Sequence, residues 1–141
     1  MRRLLLFPAL LLIAAGAAPA AKKAPPPSPE LDEALKDRVA EKPQSCISMN
    51  PQTGTRIIDG TAIIYQESSR LWYVNRPSEG RCPSLRHYRI LVTRAFSSQL
   101  CRGDLVEMVE PSGSIPFGYC ILGDFTPYRK VKPDGGQAEK Q

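Results

Sequence analysis

The chain has 141 residues, with 19 basic and 14 acidic side chains for a formal charge of +5. That length suits one domain with a modest core, and so small a charge does not by itself argue for a nucleic-acid partner. Four cysteines without a C-x-x-C spacing and a single histidine, His87, exclude the common zinc-ribbon, redox-motif and multi-histidine metal sites.

Residues 1–20 read as an export signal. Met1-Arg2-Arg3 is a charged start, Leu4 to Ala15 is apolar apart from Pro8, and Ala18-Pro19-Ala20 has the A-x-A form that a signal peptidase accepts. The apolar run is far shorter than the roughly 20 residues that span a bilayer as a helix, so cleavage is expected rather than anchoring. Without Arg2 and Arg3 the 19 basic side chains become 17 against 14 acids, a formal +3. No second apolar run follows, so the mature chain is expected to carry no transmembrane segment.

Residues 21–45 form a spacer followed by a short helix. Pro25-Pro26-Pro27-Ser28-Pro29 favours extended polyproline backbone. Ser28 is placed to cap a helix and Pro29 to occupy its first position. Glu30, Asp32 and Glu33 come early and Lys36 and Arg38 late, as the helix dipole prefers. Leu31, Leu35 and Val39 make one apolar stripe that docks or frays, and Lys42-Pro43 ends the segment.

From Cys46 to residue 128 the texture is that of a β domain. Strands are expected over 55–58 and 61–66 around an Asp59-Gly60 turn, then over 71–74, 87–95, 105–109 and 119–122. The segment 75–83 reads as a loop, and Pro111-Ser112-Gly113 and 115–118 as turns. Short strands at this spacing predict a small all-β sandwich or partly open barrel. Residues 129–141, with Gly135-Gly136 and scattered charge, read as a disordered tail.

In an exported chain, Cys46, Cys82, Cys101 and Cys120 are expected to form two disulfides, for which three pairings are open. Cys82–Cys101 with Cys46–Cys120 is favoured, because it would clasp one strand and tie the domain's two ends. The ordered motifs Cys46-Ile47, Arg56-x-Ile58-Asp59, Tyr73-x-Asn75, Cys82-Pro83-x-Leu85, Leu100-Cys101-x-Gly103-Asp104 and Cys120-x-Leu122-Gly123-x-Phe125-x-Pro127 resemble a family of small exported bacterial proteins known only as a domain of unknown function. The resemblance implies an exported, disulfide-bearing domain and assigns no functional residue.

Chemistry is sparse. His87 has no G-x-S-x-G serine beside it in sequence and reads as a surface strand residue. Asp59, Asp104 and Asp124 adjoin glycines, which is turn chemistry, and Glu107, flanked by Val106 and Met108, is expected to point to solvent. Arg102-Gly103-Asp104 reads as a constrained turn. Between Cys46 and Cys120 every basic residue is arginine. Arg70, Arg76, Arg81, Arg86, Arg89 and Arg94 lie among Trp72, Tyr73, His87 and Tyr88, and a fold that gathered them on one face would hold an anion through planar forks.

The expectation is therefore a non-enzymatic exported module, without metal or cofactor, whose partner is an extracytoplasmic protein or an anionic envelope component. One alternative is a binder of acidic polysaccharide or lipid phosphate through the arginines. Another is a small hydrolase or enzyme inhibitor.

Overall fold

The computed structural model describes residues 28–78, 82–94, 97–113 and 115–131. The predicted export signal, the first part of the spacer and residues 132–141 of the predicted tail lie outside them. In chain order the elements are α1 (Pro29–Ala34), β1 (Arg38–Ala40), β2 (Cys46–Ser48), β3 (Gly54–Ile58), β4 (Ala62–Gln66), β5 (Leu71–Asn75), β6 (Ile90–Thr93), β7 (Gln99–Cys101), β8 (Leu105–Val109), β9 (Pro116–Ile121) and β10 (Phe125–Lys130).

The fold is all-β, in three antiparallel sheets. One is five-stranded in the order β1-β10-β5-β4-β3, one pairs β2 with β7, and one runs β6-β8-β9. The β3–β4 hairpin closes at Asp59-Gly60-Thr61, where Gly60 adopts φ +62, a backbone conformation that costs glycine nothing extra. β4 is an inner strand buried on both faces, and its period of two splits the core. Ile63 and Tyr65 join Ile57, Phe125, Ile47, Leu100, Val106, Met108, Leu85 and Leu122 between the large sheet and the two small ones. Ala62 and Ile64 face the other way, with Ile58 and Val74, toward Leu31 and Leu35 of the helical segment. The layers are thus helix, large sheet and paired small sheets.

Ser28 caps α1 by accepting from the Leu31 N–H, with Pro29 following it, as the sequence predicts. The apolar stripe docks, but it stops at Leu35. Asp37 takes φ +63, which turns the chain back into β1 on the edge of the large sheet. Val39 therefore sits on a strand and is 58% exposed. Arg38 packs its guanidinium 3.5 Å from the Trp72 ring centroid and donates to the Ser69 and Arg70 carbonyls instead of serving a helix end.

The disulfides are Cys46–Cys101 and Cys82–Cys120, which overturns the favoured pairing. Cys46 and Cys101 stand directly opposite one another on β2 and β7. Cys82 reaches across the core to β9. Neither Cys46 nor Cys120 marks an end of the fold, because α1 and β1 precede the one and β10 follows the other.

Four strands were not expected: β1, β2, β7 and β10. β10 runs through Pro127 to Lys130, so residues 129 and 130 belong to the sheet and not to a tail. Pro127 is tolerated there because its carbonyl, and so its missing N–H, faces β1 where that strand ends; Glu41 N–H donates to that carbonyl at 2.8 Å. The chain between β5 and β10 is pinned by Asn75, which is fully buried. Its amide donates to the Gly123 carbonyl at 2.8 Å and accepts from the Gly123 N–H at 3.1 Å.

Candidate functional site

The sheet β6-β8-β9 has one face in the core and one outside. Val106, Met108 and Cys120 point inward, so the register puts Ile90 and Val92 of β6, Leu105, Glu107 and Val109 of β8, and Tyr119 and Ile121 of β9 on the outer face. Leu105 opposes Ile121, Val109 opposes Ile90, and Glu107 lies between Val92 and Tyr119. Leu105 and Tyr119 are 55% and 59% exposed, and Ile90 and Ile121 are partly open as well. Six of seven outward positions on a solvent face are therefore apolar or aromatic, where an antiparallel sheet ordinarily alternates to polar.

The face continues past β9 into a cleft of about 260 Å³ lined by Leu105, Tyr119, Ile121, Pro77, Pro83 and the Cys82–Cys120 disulfide. At the centre of the face stands Glu107. It was expected to reach solvent, and alternation does aim it outward, but it is only 7% exposed. Arg94 lies over it, with Nη2 at 3.4 Å from Oε2, and the Tyr119 hydroxyl is 3.5 Å from Oε1. The Arg94 side chain is itself 79% exposed. It is the charged rim of an otherwise apolar face.

Among the described residues the predicted arginines meet separate partners. Arg70 and Arg76 stand at opposite ends of β5, Arg70 exposed and Arg76 partly buried with no partner for its Nη1 among the described residues. Arg81 lies outside the described residues. Arg86 is 3.8 Å from Asp59, Arg89 is 3.8 Å from Glu110, and Arg94 pairs with Glu107. Carboxylates not adjacent in sequence thus each take a different one of three arginines. Arg102 pairs with Asp124, and Gly103 takes φ +94 while Asp104 accepts from the Cys101 N–H, so this tripeptide is the turn expected.

His87 is exposed, but it lies in a turn and not on a strand, because β6 begins only at Ile90. Asp59 holds that turn: its Oδ1 accepts from the His87 backbone N–H at 2.7 Å and lies 3.0 Å from Nδ1 of the ring. Partial burial pushes the Asp59 carboxyl up, but the hydrogen bonds from His87 and the charges of His87 and Arg86 outweigh it and hold the group below its ordinary range. Beside this turn an open groove of about 440 Å³ runs between β3 and the start of β6. Among the described residues no three His, Cys, Asp or Glu side chains are placed to hold a metal.

The outer face was within reach of the sequence. In Leu105-Val106-Glu107-Met108-Val109 one phase of the alternation is wholly apolar and the other is apolar apart from Glu107, which marks a strand with two sides to cover. No family model, curated protein or solved structure matches the chain.

Proposed function

We propose that this chain is a non-enzymatic interaction module working outside the cytoplasm, which docks a partner protein through the outer face of β6-β8-β9. The observation that carries this reading is the apolar face itself. Phe, Tyr and Trp side chains present about 150–250 Å² each. Tyr119 with more than half its surface open therefore contributes on the order of 100 Å², and Leu105, Ile90 and Ile121 extend it toward the few hundred Å² typical of functional patches. Two disulfides accord with an oxidising compartment, as do the N-terminal export pattern and the resemblance to small exported bacterial proteins. Among the described residues no helix is long and apolar enough to cross a membrane.

The partner meets the face and not the β9 edge. Pro116 opens β9, Gly118 at φ +142 and a bulge at Met108/Val109 twist it, and the Ile121 carbonyl already accepts from the Ser78 N–H. These features blunt an edge against strand addition. The partner sought is a folded extracytoplasmic protein with an apolar patch and a carboxylate to meet the exposed Arg94.

The test is a capture experiment from the exported fraction, with the unchanged chain compared with Leu105→Lys combined with Ile121→Lys. Both positions are exposed, so the variant folds, as circular dichroism would show. A discrete partner recovered by the unchanged chain and lost with the variant supports the reading. Equal recovery by both, or none by either, overturns it.

A further inference from the structure

The groove between β3 and the start of β6 is lined by Glu30, Thr55, Arg56, Ile57, His87, Arg89 and Leu91. Its apolar side is Ile57 and Leu91, both packed on the central core. Its polar side is dominated by donors. Arg89 has a side chain only 6% exposed, yet its guanidinium is incompletely satisfied: Nη1 donates to the Ser84 carbonyl at 2.9 Å, while the buried Nε has no hydrogen-bond partner among the described residues. Glu110 is 3.8 Å from that nitrogen, beyond hydrogen-bond reach, and the ring of Phe117 takes the guanidinium's flat face. A buried guanidinium so placed keeps one donor unpaired, which a ligand oxygen in the groove can satisfy.

The other lining charges can be recruited cheaply. Arg56 Nη2 meets Glu30 Oε1 at 3.4 Å with both side chains about half exposed, a pairing that contributes little and yields readily to a competing anion. Asp59 holds His87 through the backbone N–H and Nδ1, which leaves Nε2 to donate to an oxyanion when the ring is protonated. Asp59 and Glu110 are not lining residues; they steady His87 and Arg89 from outside. Glu30 is the single carboxylate of the lining.

We propose that this groove binds a small oxyanion carried on a compact apolar body, with Arg56, His87 and Arg89 receiving the oxyanion and Ile57 and Leu91 the apolar part. The site shares Arg89 with the arginine-rich surface suggested by the sequence, whereas Arg70, Arg76, Arg86 and Arg94 do not line it. It is independent of the docking face, whose residues it does not share.

The experiment is a titration of the isotope-labelled full chain followed by amide chemical shifts. Phenyl phosphate and benzoate are the two anionic probes, inorganic phosphate tests the oxyanion alone, and benzyl alcohol is the neutral control. Saturable shifts centred on 55–57 and 87–91 are expected with the anionic aromatics and not with benzyl alcohol. The stronger of the two anionic aromatics identifies phosphate or carboxylate as the preferred group.

Arg56→Gln should weaken binding about tenfold, the usual effect of losing one charge-assisted hydrogen bond. Glu30→Gln, which removes the competing acid, should tighten it, and Arg94→Gln should leave it unchanged. Glu30→Gln keeps the test decisive should Arg56→Gln misfold. No saturable shifts, equal binding of benzyl alcohol, or a loss on Arg94→Gln matching that on Arg56→Gln would overturn the assignment.

Discussion

Replacing Asn75 with alanine removes the clasp between β5 and the turn after β9. Asn75 is fully buried and satisfies both the N–H and the C=O of Gly123. Each buried backbone group left without a partner costs about 1–3 kcal/mol. The loss is therefore about 2–6 kcal/mol, centred near 3 if one water enters the space. For a domain of this size a kcal/mol moves the midpoint by about 4–8 °C, so the melting temperature should fall by about 12–24 °C. The assay is thermal unfolding by circular dichroism with both disulfides intact. Asn75→Asp is the informative companion. It keeps the acceptor for the Gly123 N–H but turns an oxygen toward the Gly123 carbonyl, and should be at least as harmful. A fall of less than about 4 °C for Asn75→Ala would refute the clasp as a source of stability.

Three further outcomes follow from the same geometry. Gly118→Ala places a methyl 2.3 Å from Ser84 Oγ at φ +142, and should cost about 1–2 kcal/mol in urea unfolding. Combining it with Ser84→Gly should recover only the steric part. Reducing the disulfides, which close loops of sequence separation 55 and 38, should remove about 4 kcal/mol each in the chain-entropy account. Two single pair-to-alanine variants with similar losses would bear this out. Asp59 has a folded-state pKa held below its unfolded value of about 3.9, so its contribution is present above that value and is lost as pH falls through the folded one. The stability gap between the unchanged chain and Asp59→Asn should accordingly narrow in acid. A gap that is constant or widens as pH falls would contradict the assigned shift.

The parts of this fold legible in the sequence are those whose cause is local. The β3–β4 hairpin follows from Asp59-Gly60 between β-branched runs, and the cap of α1 from Ser28-Pro29. β5 and β8 follow from their apolar runs. What was hidden depends on distant partners. β2 and β7 are three residues each, and only their mutual ladder and disulfide define them. β10 was masked by Pro127 and by its charged end, Arg129-Lys130. The arginines show the same limit most clearly. Their spacing suggested one cationic surface, but Asp59, Glu110 and Glu107, none of them adjacent in sequence, each pair with a different arginine. Glu107 was correctly aimed by strand alternation. Its burial comes from Arg94 on β6's continuation and Tyr119 on β9, which no local pattern announces.

Site-specific photo-crosslinking of the full chain in intact cells tests the central claim most directly. A photoreactive residue at Leu105 or Tyr119 samples the outer face, and one at Val39 samples an exposed position on the opposite sheet. The docking account predicts one discrete protein adduct shared by Leu105 and Tyr119 and absent from Val39. Identical adducts from all three positions, or none from the two outer-face positions, would contradict it.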